Sequence, residues 1–356
     1  MHFDDGRLPA EYQRYLAAKT GFVALLALLL ALALVVAVSL GAAHIPLATV
    51  ARALLGLETT RQVETIVWNI RLPQALASVV AGAGLAAAGA AMQSILRNPL
   101  GSPFTLGISH AAALGAALAV MVLGGGVMTS STMGAVQITS PWLTTAAAFV
   151  CSLIAAAVIV AVARLRSASP EVMILTGVAL GAFCTAATMF LQFFADDVQL
   201  AAMVFWTFGD TARASWRELA VLGAATLVAC AYFVASSWHY NAIDAGDETA
   251  RGLGVRVGRV RMTGMLVASA LTATIISCLG IIGFVGLVVP HMVRRLIGAD
   301  HRFLLPASIL AGGLLLLVAD TVARLLLAPH VLPVSVLTAF LGAPVFLVLI
   351  LRGGRR

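Results

Sequence analysis

Apolar runs of roughly helix-spanning length alternate with short polar breaks from Gly21 to Leu351. A run of about 20 apolar residues matches the lipid hydrocarbon core, about 30 Å at 1.5 Å per helical residue. In chain order the pattern predicts spans over residues 21–40, 72–95, 104–123, 141–163, 172–194, 219–235, 262–282, 283–296, 304–319 and 332–351. The eighth is short and holds Pro290, which predicts an interrupted helix. Residues 44–69 read as a mixed linker and 124–140 as a Gly/Ser/Thr-rich loop. Residues 196–216 read as a polar, aromatic stretch with a short interfacial helix suited to Trp206 and Trp216. The expected fold is all-α: a polytopic membrane protein of about ten transmembrane helices. A tail (1–20), one transmembrane domain (21–352) and a short basic tail (353–356) make up the chain.

One break differs from the others. Ser236–Arg261 packs Asp244, Asp247, Glu248, Arg251, Arg256, Arg259 and Arg261 between two apolar runs, too polar a segment to enter lipid. Asp247 and Glu248 suit the positive end of a short helix, with Arg251 further along. Gly252-Leu253-Gly254 then supplies a stop or turn. Residues 238–261 read as a charged helix on one face of the bundle, a ledge able to receive force from a soluble partner. Charge pattern alone also fits an ordinary solvated loop.

Composition agrees with the periodicity. The chain is 61% hydrophobic and 10% charged, against about a quarter charged for soluble domains. The net charge of +7 does not indicate nucleic acid, because the arginines cluster at the ends of apolar runs. With ten crossings, only Arg52, Arg61, Arg71, Arg213, Arg217 and Arg324 of the 22 basic residues lie opposite the termini. The positive-inside rule therefore puts both termini and the ledge in the cytoplasm. Cys151, Cys184, Cys230 and Cys278 each sit in an apolar run without a CxxC partner, so packing is expected and no metal site.

Energy coupling is not visible within the spans. Glu171 and Asp320 fall near span ends and read as solvated or capping acids, and His110, His291 and His301 as packed or interfacial rings. A P-loop needs Gly-Lys, and the one lysine, Lys19, follows alanine. Any ATPase must be a separate chain. The second span is rich in Gly and Ala from Gly82 to Ala91, and Gly280, Gly283 and Gly286 precede Pro290, a pattern that lets helices approach closely in lipid.

An ordered series of motifs then carries a resemblance. Arg71-Leu72-Pro73, Met92-Gln93, Arg97-Asn98-Pro99-Leu100 and Leu175–Gly181 come first. Gly283–His291, Asp300-His301-Arg302, Ala319–Arg324 and Gly342–Leu347 follow. From about Trp68 to Arg352 the chain resembles the membrane subunit of FecCD-type ABC importers, and the cobalamin importer's permease is especially close in pattern. The resemblance implies a homodimer of ten-helix subunits around a central pathway, in a bacterial inner membrane. It further implies two ATP-binding subunits below, which bind ATP and Mg2+, and a periplasmic or lipid-anchored binding protein above. No cofactor is implied for this chain. The cargo implied is an iron–siderophore complex, with haem, cobalamin or an oxyanion as alternatives; a proton-coupled carrier is the rival from another class.

Residue by residue, the resemblance makes Asp244, Gly246, Asp247, Glu248, Arg251, Gly252, Leu253 and Gly254 the ATPase-coupling segment. It assigns Arg71 and Arg324 to binding-protein docking, with their charges in water. Met92, Phe190, Phe193 and Phe194 are expected to border the pathway. Three departures stand out: Gln74 where a further arginine is usual, Val331-Leu332-Pro333-Val334-Ser335 for Glu-Leu-Pro-x-Gly, and Phe205–Asp210 for Trp-x-x-Gly-Ser/Gly.

Overall fold

The computed structural model of the chain describes residues 9–41, 45–122, 141–166, 169–327 and 330–353. Among them the helices are α1 Ala10–Ser39, α2 Leu47–Leu54, α3 Arg61–Glu64, α4 Leu72–Ile95, α5 Ile108–Met121, α6 Pro141–Leu165, α7 Pro170–Phe194 and α8 Asp197–Thr207. The series continues with α9 Trp216–Ala235, α10 Ser237–Asp244, α11 Asp247–Gly252, α12 Val257–Leu279, α13 Val285–Ile297, α14 His301–Leu326 and α15 Val334–Gly353. Seven helical stretches are long and apolar enough to cross a membrane. The apolar α5 and residues 334–348 of α15 add two more, and the 13-residue α13, with Pro290 inside and Arg294 and Arg295 in its last turn, stands where the interrupted eighth span was expected.

The ends of elements follow local chemistry. Asp196 and Gln199 form a capping box at the start of α8, and Ser215 and Glu218 form another at α9. Two boundaries differ most from the hydropathy reading. α1 begins at Ala10 rather than near Gly21, because the good helix formers Ala10–Lys19 continue the helix beyond the apolar run. Much of the 1–20 tail is therefore helical, and its Lys19 is buried against Tyr15 and Phe303. Likewise a π-helical segment, Thr65–Arg71, joins α3 to α4 without a break, so the last third of the predicted linker, from Arg61 on, belongs to the second span. The 124–140 loop, residues 1–8 and residues 354–356 lie outside the described residues.

Small side chains make α4 the central post of the bundle. It packs against α14, α12, α13 and α9, and nearly all of it from Pro73 to Ile95 is buried. Two glycine pairs set the separation. A Cβ on Gly82 would lie 2.2 Å from the Gly312 carbonyl oxygen, and one on Gly89 would lie 1.7 Å from that of Gly286. Backbones meet there with no room for a methyl group, the close approach that substitutes for hydrophobic drive in lipid.

Between α12 and α13 the helix breaks at Gly280 (φ +80°), and Phe284 (φ +66°) restarts it. Freed backbone groups in a membrane need internal partners. Asp210 N–H donates to the Leu279 carbonyl (2.8 Å), and Phe208 pairs with Ile281. The Arg213 guanidinium caps the end of α8 by donating to the Phe205, Trp206 and Phe208 carbonyls (2.7, 3.1 and 2.8 Å). Trp206 thus belongs to the packed interior rather than to the interface.

Candidate functional site

The charged ledge folds as two short helices, α10 and α11, hinged at Gly246 (φ +118°). The stop expected at Gly252-Leu253-Gly254 is a Schellman turn. Gly254 takes φ +81°, its N–H bonds the Arg251 carbonyl, and Val255 N–H bonds the Ala250 carbonyl (both 2.9 Å). Glu248, Arg251, Gly252 and Leu253 face outward, Leu253 with 70% of its surface exposed.

Asp247 does not share that outward face. Its carboxylate accepts two bonds from Arg261 (2.6 and 2.7 Å) and lies 3.8 Å from Arg97. Arg261 is only 3% exposed and also donates Nε to the Ile95 carbonyl (3.0 Å), so the clamp reaches the last residue of α4. These bonds from Arg261 hold the Asp247 carboxyl below its ordinary range, against a smaller opposing effect of burial. A bidentate guanidinium from within the chain thus engages both Asp247 oxygens.

Asp244 also turns inward. Its carboxylate lies 3.0 Å from His301 Nε2 and accepts from Arg294 (3.3 Å). Burial pushes its pKa up, but the His301 hydrogen bond and the nearby charges outweigh that and lower it. His301, wholly buried at the start of α14, also meets Ser94 Oγ of α4 through Nε2 (2.8 Å) and takes Asn241 Oδ1 on its backbone N–H (2.8 Å). Asn241 in turn donates to Asp300 (3.0 Å), whose carboxyl falls to about 2, Arg302 overcoming the effect of burial. The ledge is therefore pinned to α4 and α12 through Asp247, and to α4, α13 and α14 through Asp244 and Asn241. Sequence reading placed Arg261 in the ledge without its partner, passed over Ser94, and treated His301 as a packed or interfacial ring; the partners lie far apart in the chain.

At the opposite end, the two arginines expected in water are largely buried. Arg71 is 4% exposed and donates to the carbonyls of Val38 (3.1 Å) and Ser39 (2.7 Å). Arg324 reaches the Leu40 (3.3 Å) and Ala37 (3.4 Å) carbonyls and pairs with Asp320 (3.1 Å). Together they cap the C-terminal carbonyls of α1, which has no basic residue in its own last turn. Asp320 is corrected from a solvated acid to a buried one: Gln74 Nε2 (3.0 Å) and Thr211 Oγ1 (2.6 Å) donate to it. Gln74, a departure in the sequence, is thus a working member of this network.

Met92 is fully buried inside the protomer. Phe190, Phe193 and Phe194 are exposed, and both Phe190 and Phe193 meet Phe194 edge-on, with ring centroids 5.1 Å apart. The other two sequence departures touch each other. Gly209 N–H donates to Ser335 Oγ (3.0 Å), and Ser335 N–H to the Gly209 carbonyl (3.3 Å). Among the described residues no group of His, Cys, Asp and Glu is arranged to hold a metal ion.

With this geometry, comparison with known proteins decides the family. The model of the FecCD transport family matches residues 28–352. The chain belongs to the FecCD transport family. An ABC transporter permease protein of Methanocaldococcus jannaschii is 48% identical, covering 98% of this chain and 99% of the relative. The hemin transport system permease of Yersinia pestis is 38% identical over 90% of this chain and 94% of its own. Among solved structures, a metal-chelate type ABC transporter in an inward-facing conformation aligns with TM-score 0.80 and 28% identity, covering 94% of this chain and 99% of that one. As a FecCD member, this chain is a multi-pass permease of an ABC importer, and the family is a transport family rather than an enzyme family.

Proposed function

We propose that this FecCD permease works as a homodimer that passes a metal chelate, in the first place an iron–siderophore complex, between its two copies. Two separate P-loop subunits would bind ATP and Mg2+ and seat on Glu248, Arg251 and Leu253 from the cytoplasm of a bacterial cell. A binding protein would deliver cargo to the opposite face. Arg71 and Arg324 serve that face from within, by fixing the end of α1, rather than by bonding across it.

One observation carries the reading. The ledge is exposed at its tip, while its inner side is ion-paired to α12, α13 and Arg97 just past α4, and hydrogen-bonded to His301 of α14 and, through Arg261, to the end of α4. A push on Leu253 therefore reaches α4, α12, α13 and α14 through charge-assisted bonds, which resist stretching better than neutral ones. Haem is the second cargo, favoured by the 38% identity to the hemin permease over nearly the whole of both chains.

The test is reconstitution with a P-loop subunit and binding protein that co-purify with the permease from its native membrane. ATP-dependent uptake of an iron-loaded hydroxamate siderophore is expected. Uptake that persists without the P-loop subunit, driven by a proton gradient, would refute the reading.

A further inference from the structure

His110 is used by none of the contacts described so far. α5 begins only after the turn through Gly101–Gly107, and Gly107 abuts the Gly177 carbonyl and Gly181 of α7. His110 is thereby carried to the middle of α7. Its Nδ1 lies 3.6 Å from where a Cβ on Gly181 would stand, and Gly181 is one residue short of the centre of Pro170–Phe194. Yet His110 is exposed there. It opens on a groove of about 500 Å³ shared with Thr105, Thr185 and Met189. Thr185 bonds back to the Gly181 carbonyl (2.9 Å) and Thr105 to the Ser102 carbonyl (2.8 Å), so neither hydroxyl is spent on the ring. Phe104 leans on the imidazole at 6.2 Å between centroids.

An ionisable ring exposed near the midplane is costly against lipid, and such groups face a bundle interior or a water-filled cavity. Here the ring does not face the interior of its own bundle, and in the homodimer proposed above the water-filled space between the two copies is the setting that meets this requirement.

We propose that this groove is a stretch of pathway wall, and that His110 contacts cargo there by presenting a ring nitrogen to a chelate with an open axial position, a ferric porphyrin. The unprotonated nitrogen's lone pair fills the site as a bound water leaves; no electron is transferred. A ferric hydroxamate siderophore occupies all six iron positions itself and offers the ring no such bond. The contact has to be weak enough to release cargo onward, as any mid-pathway site must. This rests on the importer reading and deepens it, because it predicts which chelate the wall distinguishes.

The experiment uses the complete permease–ATPase complex in nanodiscs, titrated with ferric haem. A Soret shift to an imidazole-ligated form is expected in the native protein, absent in His110→Ala and altered in His110→Met. In proteoliposomes His110→Ala should lower haem uptake about tenfold, the loss of one contact worth about 1.4 kcal/mol. Ferric hydroxamate uptake and basal ATP hydrolysis should stay within about twofold of native, showing that the variant folds. His110→Cys should react with a membrane-impermeant thiol reagent. Identical haem spectra in native protein and His110→Ala overturn the proposal, as does a His110→Cys thiol reached only by lipid-soluble reagents. A native complex that moves neither cargo on ATP overturns the importer reading, and this one with it.

Discussion

Asp247→Asn isolates the clamp beneath the ledge. The substitution keeps the shape of the side chain but removes the charge that faces Arg261, which is 3% exposed and anchored to the Ile95 carbonyl. Breaking a fully buried ion pair costs about 3–5 kcal/mol. Asp247 is a quarter exposed, so water recovers part of this, and one amide oxygen still accepts a bond. Roughly 2 kcal/mol remains as the expected cost. That corresponds to about a 30-fold rise in local opening. Amide hydrogen exchange over residues 247–254 should therefore quicken about 30-fold, with α4 itself little changed. In the reconstituted complex more ATP should be consumed per cargo moved. The charge-swapped pair Asp247→Arg/Arg261→Asp should recover part of both losses. The pH dependence has a definite sign. The Asp247 carboxyl is held low by Arg261, so its contribution is complete above the unfolded value of about 4 and disappears as pH falls through the lower folded value. Between about pH 5 and 8 the clamp should be indifferent to pH. Unchanged exchange in Asp247→Asn, with unchanged ATP per cargo, would refute the clamp.

Three further outcomes are expected. Glu248→Arg, on the exposed tip, should leave thermal stability of the purified permease within about 0.5 kcal/mol and still weaken ATPase docking, read by co-purification. Asp320→Ala strips the counter-charge from buried Arg324 and leaves Gln74 and Thr211 without their acceptor; a loss of about 3–5 kcal/mol should appear as collapse of the monodisperse peak on size exclusion. Gly89→Ala places a methyl 1.7 Å from the Gly286 carbonyl, and a loss of about 1–3 kcal/mol or more should show in thermal unfolding, whereas Gly223→Ala, in open space, should be neutral.

The ten apolar helices, the short charged ledge helix and the small-residue crossing of α4 could be read from the chain, because each is written in consecutive residues. Asp247, Glu248 and Arg251 announce a helix start and end within one segment. What that segment holds could not be read, because Asp247 meets Arg261 14 residues on and the ledge's Asp244 meets His301 57 residues on. Burial at span ends was equally hidden. Hydropathy places Arg71, Asp320 and Arg324 at the edge of lipid and suggests water, but the folded network binds all three to partners up to 284 residues away. His110 could be read only as a packed or interfacial ring, because its neighbours on α7 are about 70 residues on and α5 starts at Ile108 rather than at Phe104.

The capping of α1 also orders the making of the protein. Ala37, Val38, Ser39 and Leu40 emerge from the ribosome early, and one of the guanidiniums that covers their carbonyls, Arg324, follows Leu40 by 284 residues. At about 5–20 residues per second that interval is roughly 15–60 s. Throughout it the first transmembrane segment stands in the bilayer with its outer end only half covered, and Asp320, the counter-charge of Arg324, is not yet made. Insertion of the ninth crossing thus closes the first, and a nascent chain stalled before Arg324 should remain open to extraction and proteolysis at its earliest helix.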